Sequence, residues 1–520
     1  MTMRVKPFMS IWTARIAAPA AMLLLLGGCF GPGPAATASP EEAAPREEAA
    51  PLAPHETWDI CRMQGARVGY GHTTIRYATD GDRRVLKIEG LIHFAVQRFG
   101  QTTEQDIRFT DTETPAGGLI AFDCEIRQGT TPLRTTGRVV GDRLDVEMTT
   151  EGAKRATSMP WSADCGGMSA PEESLLRRPM EPGEHRVVRH LTIDNQLADM
   201  EMTARQEESV QLLAGTFRLL RIETLERMPG GQKIKGVSWI DRTGETVKSW
   251  IEPMNMEVFR VPKEVALAKT DLAKFDFGER TLVRVDRPVP GGHQSKRVRY
   301  RVHLEGGDPS EVFVSGPSQQ VKKIDAHTAE VTVYAIRPCT PGGNPEARDD
   351  PPTDADRRPN NFIQSDDAVI VSDAREAAGR ETDPWRVAVA LEQYVHKAIT
   401  QKDFTQAFAT AAEVARSHEG DCTEHAVFLA ALARARGIPA RVAVGLVYMS
   451  HSATFGYHMW TEVYVDRRWI PIDATLAQGG IGGGHLKLAQ TSLEGISAYS
   501  SFLPVVQVIG RLRVEVLDAD

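Results

Sequence analysis

Apolar and polar residues alternate along much of the chain between residues 58 and 287, with turn residues at intervals. In one such run Leu144, Val146 and Met148 alternate with charged residues. Successive side chains of a strand point to opposite faces of a sheet, so this period of two predicts half-buried antiparallel strands. We therefore expect a large curved antiparallel sheet or open barrel over residues 57–287. It could serve as a spacer or docking surface, or it could bind a ligand.

A second, smaller β segment follows at residues 288–337, where Val298, Tyr300 and Val302 alternate with basic residues. Residues 338–361 are rich in Pro, Gly, Asn and Asp, and this composition predicts a linker.

Helical patterns begin at about residue 362, which opens the last predicted domain, residues 362–520. Asp383 followed by Pro384 is a strong helix start, with Asp as the N-cap and Pro at the first helical position. A second helix is expected from about Cys422 to Gly437. Four strands are predicted after it, at residues 440–448, 457–465, 469–473 and about 505–517. The last strand is expected to complete the sheet that the others form. The overall prediction is an α+β fold with a β-rich N-terminal region.

The first 28 residues have the pattern of a signal peptide, with three basic residues and a short apolar stretch that ends in Gly27, Gly28 and Cys29. This ending resembles a bacterial lipoprotein box, which implies that Cys29 is lipidated and ties the chain to a membrane. An ordinary secretory signal is the alternative. Residues 29–56 lack the apolar side chains for a core and predict a disordered tether. We expect a cell-envelope location on the periplasmic face; because Phe30 is not Asp, the outer membrane is favoured.

The composition narrows the possible partners. A net charge of −8, with no basic stripe of interleaved aromatic residues, argues against nucleic acid. Nothing in the sequence indicates an oligomeric state. Four further cysteines allow three disulfide pairings, among which the sequence does not choose; they are Cys61, Cys124, Cys165 and Cys339.

Three residues in order carry the candidate chemistry. Cys422 lies where a polar loop becomes an apolar helix, and a helix start favours a thiolate. His458 lies on a predicted strand. If residues 466 and 467 form a two-residue hairpin loop, Asp473 is the diagonal neighbour of His458 on the same face of the sheet. A thiol, an imidazole and a carboxylate so arranged are suited to thiolate acyl transfer. We expect the helix to be buried, with only its N-terminus opening to a cleft.

These segments, together with the runs from Gly437 to Arg441 and from Trp469 to Thr475, resemble the transglutaminase-like (papain-related) cysteine enzyme superfamily. The resemblance implies that Cys422 is the nucleophile, His458 the general base and acid, and Asp473 the residue that orients His458. It also implies a Cys helix packed on an antiparallel sheet. The substrate would be a protein or peptide amide, and the outcome proteolysis, deamidation or crosslinking.

Two other readings remain open. One is a non-catalytic envelope module that uses the same fold to bind peptide or glycan. The other is a metal site made of Cys422, His425 and His458, which lacks a convincing fourth ligand. We expect no metal and no cofactor, since no calcium loop with the required acidic spacing is present. The glycine-rich run at residues 479–484 is expected to form a flexible rim of the cleft.

Overall fold

The computed structural model describes residues 52–520 except 128–130, 151–152, 229–232, 253–254, 269–275, 337–342, 345–346, 348–349, 403–407 and 495–502. The predicted signal segment with Cys29, nearly all of the predicted tether and Cys339 lie outside the described residues. Within the described ranges, no helix has both the length and the apolar composition needed to cross a membrane.

Fifteen strands of the N-terminal region form one sheet, in the order β8 to β1 followed by β15 to β9. Neighbouring strands run antiparallel, apart from the parallel pair of β9 and β10. The predicted large antiparallel sheet is thus observed, and short helices α1 (Ala170–Arg177) and α2 (Lys263–Ala266) accompany it. The strands are β1 His55–Met63, β2 Ala66–Asp80, β3 Arg83–Arg98, β4 Gln101–Glu113, β5 Leu119–Arg127, β6 Leu133–Val140, β7 Arg143–Thr150, β8 Ala153–Pro160, β9 Cys165–Gly166, β10 His185–Leu191, β11 Leu197–Leu212, β12 Gly215–Arg227, β13 Lys233–Ile240, β14 Thr246–Ile251 and β15 Met256–Val261.

A second sheet has four strands in the order β18-β19-β17-β24. The final strand was predicted to complete the sheet of the C-terminal domain, and that prediction is wrong. Residues Leu503–Val508 are helical (α8), and β24 pairs with β17, where Val514 lies opposite Val302. The apolar face of β24 is buried against β17 because both strands alternate with the same period. The strands are β17 Arg297–Leu304, β18 Gln319–Lys323, β19 Thr328–Tyr334 and β24 Leu512–Ala519.

The C-terminal domain packs helices against a third sheet, in which the order is β16-β21-β20-β23 and β22 pairs with β21. Asp383 caps its helix as predicted, and Asp421 caps the helix that begins at Cys422. The helices are α3 Phe277–Arg280, which precedes this domain, α4 Ala368–Ala378, α5 Pro384–Ala398, α6 Ala411–Ser417 and α7 Cys422–Ala435. The strands are β16 Val283–Arg284, β20 Ala440–Met449, β21 Thr454–Val465, β22 Arg468–Ile472 and β23 His485–Thr491.

The hairpin that joins β21 to β22 has the predicted two-residue loop. Asp466 and Arg467 both have positive φ, at 50° and 62°, as a tight hairpin turn requires. Val465 pairs with Arg468. This register brings Asp473, the residue that follows β22, toward the middle of β21.

The glycine-rich run does not form a flexible rim, contrary to the prediction. Residues 480–484 are buried. A Cβ at Gly482 would lie 1.8 Å from the carbonyl oxygen of His293, and one at Gly484 would lie 2.6 Å from His293 Nδ1. Glycine is needed there because this segment packs directly against the chain that leads into β17.

Gly445 on β20 lies between two neighbouring strands. It pairs with His458 on β21 and with Lys487 on β23, next to an irregularity in the register. A Cβ at this position would lie 1.9 Å from the carbonyl oxygen of Leu486.

We expect Gly445→Ala to lower the free energy of unfolding by about 2 kcal/mol, because the added methyl group must push β23 away from β20. Thermal unfolding followed by circular dichroism measures this. Gly316→Ala is the matched control, since a Cβ there meets no atom within 4 Å. Equal melting temperatures for the two variants would contradict the expectation.

Candidate active site

The three residues singled out from the sequence lie on neighbouring elements of the C-terminal domain. Cys422 is the first residue of α7, His458 lies within β21, and Asp473 directly follows β22. His458 Nε2 is 2.8 Å from Asp473 Oδ2. The register thus brings this pair together as predicted. All three are buried, with 2%, 2% and 1% of their surface exposed.

The sulfur of Cys422 is tied to the strand that carries His458. The backbone N–H of Met459, the residue after His458, donates a hydrogen bond to Cys422. One turn along α7, the Thr461 hydroxyl donates to the carbonyl oxygen of Ala426 at 2.9 Å. The other ring nitrogen of His458, Nδ1, is buried with no hydrogen-bond partner among the described residues. Nδ1 is therefore the ring nitrogen that the contact with Asp473 does not use.

A capping box fixes the start of α7. Asp421 Oδ1 accepts from the N–H of Thr423, and Glu424 Oε2 accepts from the N–H of Asp421, both at 2.8 Å. Gly420 has φ of 147°, and a Cβ there would lie 2.3 Å from the Cβ of Glu424. The sequence around Cys422 thus folds locally into a helix that begins at the thiol.

The surroundings of the thiol differ from the expectation. Within the described ranges, the first four residues of α7 are buried rather than exposed to solvent. Cys422 packs in an apolar cluster of residues from distant segments, and burial, with Asp421 as the next cause, raises the pKa of its thiol well above the usual value. The helix end predicted a thiolate, but loss of solvent outweighs it. The cluster consists of Val447 and Met449, with Leu282 and Leu476 partly buried against it.

His485 is a member of the site that the sequence reasoning missed. Its Nε2 is 3.0 Å from Asp473 Oδ2, the same oxygen that binds His458. Burial lowers the pKa of His485 to about 4, so the ring is neutral near pH 7 and donates its Nε2–H. Burial alone would raise the pKa of Asp473, but the two histidines hold it well below its usual value. The alternation of His485, Leu486, Lys487 and Leu488 was the available signal.

Helix α5 holds the loop that carries Asp473. Glu392 accepts hydrogen bonds from the N–H of Asp473 at 3.2 Å and of Gly479 at 2.9 Å. His396 Nδ1 donates to the carbonyl oxygen of Ala474 at 2.9 Å. Burial raises the pKa of Glu392 to about 7. The buried Glu392 carboxyl group thus positions the backbone of Asp473. The place of Glu392 on a helix gave no indication of this contact in the sequence.

The face of β21 that carries His458 also carries an aromatic ring and a buried ion network. The Trp460 ring stacks near His458, with centroids 6.2 Å apart, and its indole Nε1 is buried with no hydrogen-bond partner in the described ranges. Glu462 binds Lys487 of β23 at 2.5 Å and Arg441 of β20 at 2.7 Å. Burial would raise the pKa of Glu462, but these two cations lower it to about 2. The network locks three strands in register beside His458.

One group of side chains in the described ranges has the spacing for a metal ion: His458, Asp473 and His485, with ligand atoms within 4.8 Å of one another. It is not the set considered from the sequence. In that set His425 donates its Nδ1–H to the carbonyl oxygen of Asp421 at 2.6 Å, and burial lowers its pKa to about 4. His425 therefore caps its own helix turn.

Residues 372–474 match the family described as the transglutaminase-like superfamily. The match contains Cys422, His458 and Asp473 and covers the helices and strands that position them. No curated protein is similar enough to the chain to count as a match.

Among solved structures, three are similar to parts of the chain. A proposed cysteine protease from Cytophaga hutchinsonii has 16% identity and a TM-score of 0.27, over 43% of this chain and 86% of that one. A β-barrel-like protein of a domain of unknown function from Brucella abortus has 10% identity and a TM-score of 0.33, over 41% and 98%. The periplasmic domain of TgpA from Pseudomonas aeruginosa, bound to ethylmercury, has 16% identity and a TM-score of 0.22, over 35% and 91%. Likenesses with TM-scores this low carry no argument about activity.

Without the N–H donor of His485, Asp473 should be positioned less firmly. It should then stabilise the protonated form of His458 less well. We expect His485→Ala to slow alkylation of Cys422 by iodoacetamide at pH 7.5 about tenfold, the effect of one hydrogen bond to a charged group. His485→Gln keeps an N–H donor and should stay near the wild-type rate. Peptide mapping by mass spectrometry gives the rates, and an unchanged rate in His485→Ala would contradict this role.

Glu392 should make stability depend on pH. Its pKa is raised from 4.5 to about 7, so between these values the folded protein binds a proton that the unfolded chain releases. Stability is therefore lost as the pH rises through this window. Between pH 5 and 7.5 the wild type should lose about 2 kcal/mol more than Glu392→Gln, whose side chain does not titrate. Urea unfolding at the two pH values measures the difference; parallel losses would exclude it.

Proposed function

We propose that this chain, which carries a transglutaminase-like domain at residues 372–474, is an exported, thiol-dependent enzyme that acts on protein or peptide amides. In this proposal Cys422 is the nucleophile, His458 the general base and acid, and Asp473 the residue that orients His458. The observation that carries the proposal is the buried 2.8 Å contact between His458 and Asp473, on the strand to which the Cys422 sulfur is hydrogen-bonded.

The reaction begins with proton transfer from the Cys422 thiol to Nδ1 of His458, as the sulfur attacks the amide carbonyl carbon. His458 then gives that proton to the leaving amine, and a thioester forms on Cys422. Water or a second amine attacks the thioester carbonyl, and the thiol is regenerated. Attack by water gives proteolysis or deamidation, and attack by a lysine amine gives a crosslink.

The burial of Cys422 determines how the nucleophile is activated. Because burial raises the pKa of the thiol, the resting sulfur is neutral. The proton therefore leaves during the attack itself, with His458 as base, and no standing thiolate is required. Asp473 stabilises the imidazolium that results, since His458 and His485 hold its carboxyl group in the ionised form.

A substrate must reach the sulfur past the apolar side chains that cover it. Leu282 and Leu476 are the partly buried members of the cluster around Cys422. In the proposed mechanism an acyl side chain displaces one of them, so the covering residues also exclude water until the substrate is bound.

We also propose that the chain is exported and held at the periplasmic face of a membrane by a lipid on Cys29. This proposal is based on the sequence alone, since Cys29 lies outside the described residues. It would limit the substrates to proteins and peptides of the cell envelope.

The alternative is a non-catalytic module that uses the same fold to bind peptide or glycan in the envelope. The neutral, enclosed thiol is the observation that favours it. Alkylation separates the two readings, because a working triad makes Cys422 react stoichiometrically near neutral pH in a way that depends on His458.

The proposal is tested with envelope extract incubated with the wild type or with Cys422→Ala, followed by mass spectrometry. New peptide termini indicate proteolysis, glutamine-to-glutamate changes indicate deamidation, and isopeptide links indicate crosslinking. We expect Cys422→Ala and His458→Ala to abolish the products. Asp473→Asn should keep a small fraction of the activity, because the His458 ring is still positioned.

The matched control is Cys165→Ala, a free and buried cysteine in the N-terminal sheet, which should keep wild-type activity. Circular dichroism checks that each variant is folded. Full activity of Cys422→Ala would make the assignment of the nucleophile wrong.

A further inference from the structure

The N-terminal sheet reaches the start of the helix that carries Cys422. Arg98 is the last residue of β3, and its Nη2 is 2.6 Å from Oδ2 of Asp421, the N-cap of α7. The two residues are 323 positions apart, and their side chains are 1% and 2% exposed. This is a fully buried ion pair between the large sheet and the residue that precedes Cys422.

The hairpin that carries Arg98 is fixed in place by further contacts. The backbone N–H groups of Phe99 and Gly100 donate to the Asp276 carboxylate at 3.0 Å and 2.8 Å. A Cβ on Gly278 would lie 2.8 Å from the Phe99 ring. Arg98 thus precedes a short turn whose backbone is hydrogen-bonded to Asp276. These contacts fix the position of Arg98.

The charges around the thiol show what this cation does. Asp421 and Glu424 of α7 lie beside Cys422 and raise its thiol pKa, whereas Arg98 lowers it. Burial, followed by the charge of Asp421, raises the pKa of Glu424 well above the usual value. After burial, Asp421 has the largest effect on the thiol pKa, and Arg98 is the cation that binds the Asp421 carboxylate. From β21, the N–H of Met459 faces the same sulfur.

We propose that Arg98 is a positioning residue of the Cys422 site, so that the N-terminal sheet completes this site from outside the transglutaminase-like domain. Arg98 holds the Asp421 side chain where it caps α7, and it cancels a negative charge that would otherwise oppose the negative sulfur in the attack. The reactivity of Cys422 thus depends on correct docking of the large sheet. The consequence for turnover rests on the proposed function, but the effect on the sulfur itself does not.

Removal of one partner of a buried ion pair leaves the other charge uncompensated. In Arg98→Met the Asp421 carboxylate stands alone beside the sulfur, and the thiolate is disfavoured. In Asp421→Asn the negative charge beside the sulfur is gone while Arg98 is kept, and the thiolate is favoured; Asn still caps the helix. In the double variant neither charge remains. A merely structural role would make both single variants worse, so the opposite signs are specific to the electrostatic role.

The test is the rate of Cys422 alkylation by iodoacetamide between pH 6 and 10, measured on the full chain by peptide mapping, with thermal unfolding as the check on folding. We expect Arg98→Met to react about tenfold more slowly than wild type at pH 7.5, which corresponds to a midpoint raised by about one pH unit. Asp421→Asn should react faster, and the double variant should return to within about threefold of wild type.

Arg98→Lys keeps the charge and serves if Arg98→Met does not fold; it should stay near the wild-type midpoint. A wild-type alkylation profile in folded Arg98→Met overturns the proposal, as does an equal slowing in both single variants. If alkylation shifts as expected while no amide substrate reacts, the proposed function fails and the role of Arg98 stands.

Discussion

The Asp473 carboxylate, buried and shared by two imidazole rings, is the constraint around which the site is arranged. A charge with 1% exposure is tolerated only if hydrogen bonds replace its water. Asp473 obtains them from His458, His485 and the N–H of Thr475. Each donor belongs to a different part of the fold: β21, β23 and the loop that α5 holds. The position of one carboxylate thus fixes three elements relative to one another.

Burial also affects the chemistry of the Cys422 sulfur. An enclosed thiol resists ionisation, and this lowers its reactivity toward solvent species while leaving it able to react with a partner that takes its proton. In the proposed mechanism that partner is His458, whose Nε2 contacts a carboxylate and whose Nδ1 has no hydrogen-bond partner in the part of the chain that the structure describes. The balance between desolvation and local charge therefore decides reactivity here, and Arg98 contributes to that balance across a domain boundary.

Sequence reasoning succeeded where the determinants are local. The period of two in β7, the Asp383 cap and the hairpin at residues 466–467 depend on neighbouring residues, and the structure has them. It failed where the partner is distant. Glu392 has no local signal of its contact with Asp473, the alternation at His485 indicates only a strand, and the apolar cover of Cys422 comes from three separate segments. The start of α7 is buried and the glycine run packs tightly for the same reason: tertiary packing overrides local preference.

The placement of β24 has a consequence for how the polypeptide can be divided. The strand at residues 512–519 pairs with β17, which precedes the transglutaminase-like domain by many residues. Gln319 of β18 also exchanges two hydrogen bonds with the backbone of Lys487, both at 2.8 Å. A fragment excised at residue 362 would keep every residue of the candidate triad yet lose the partner of its terminal strand, leaving an unpaired apolar edge. We therefore expect the smallest stable fragment that contains Cys422 to begin before β17, upstream of residue 372, where the match to the family begins.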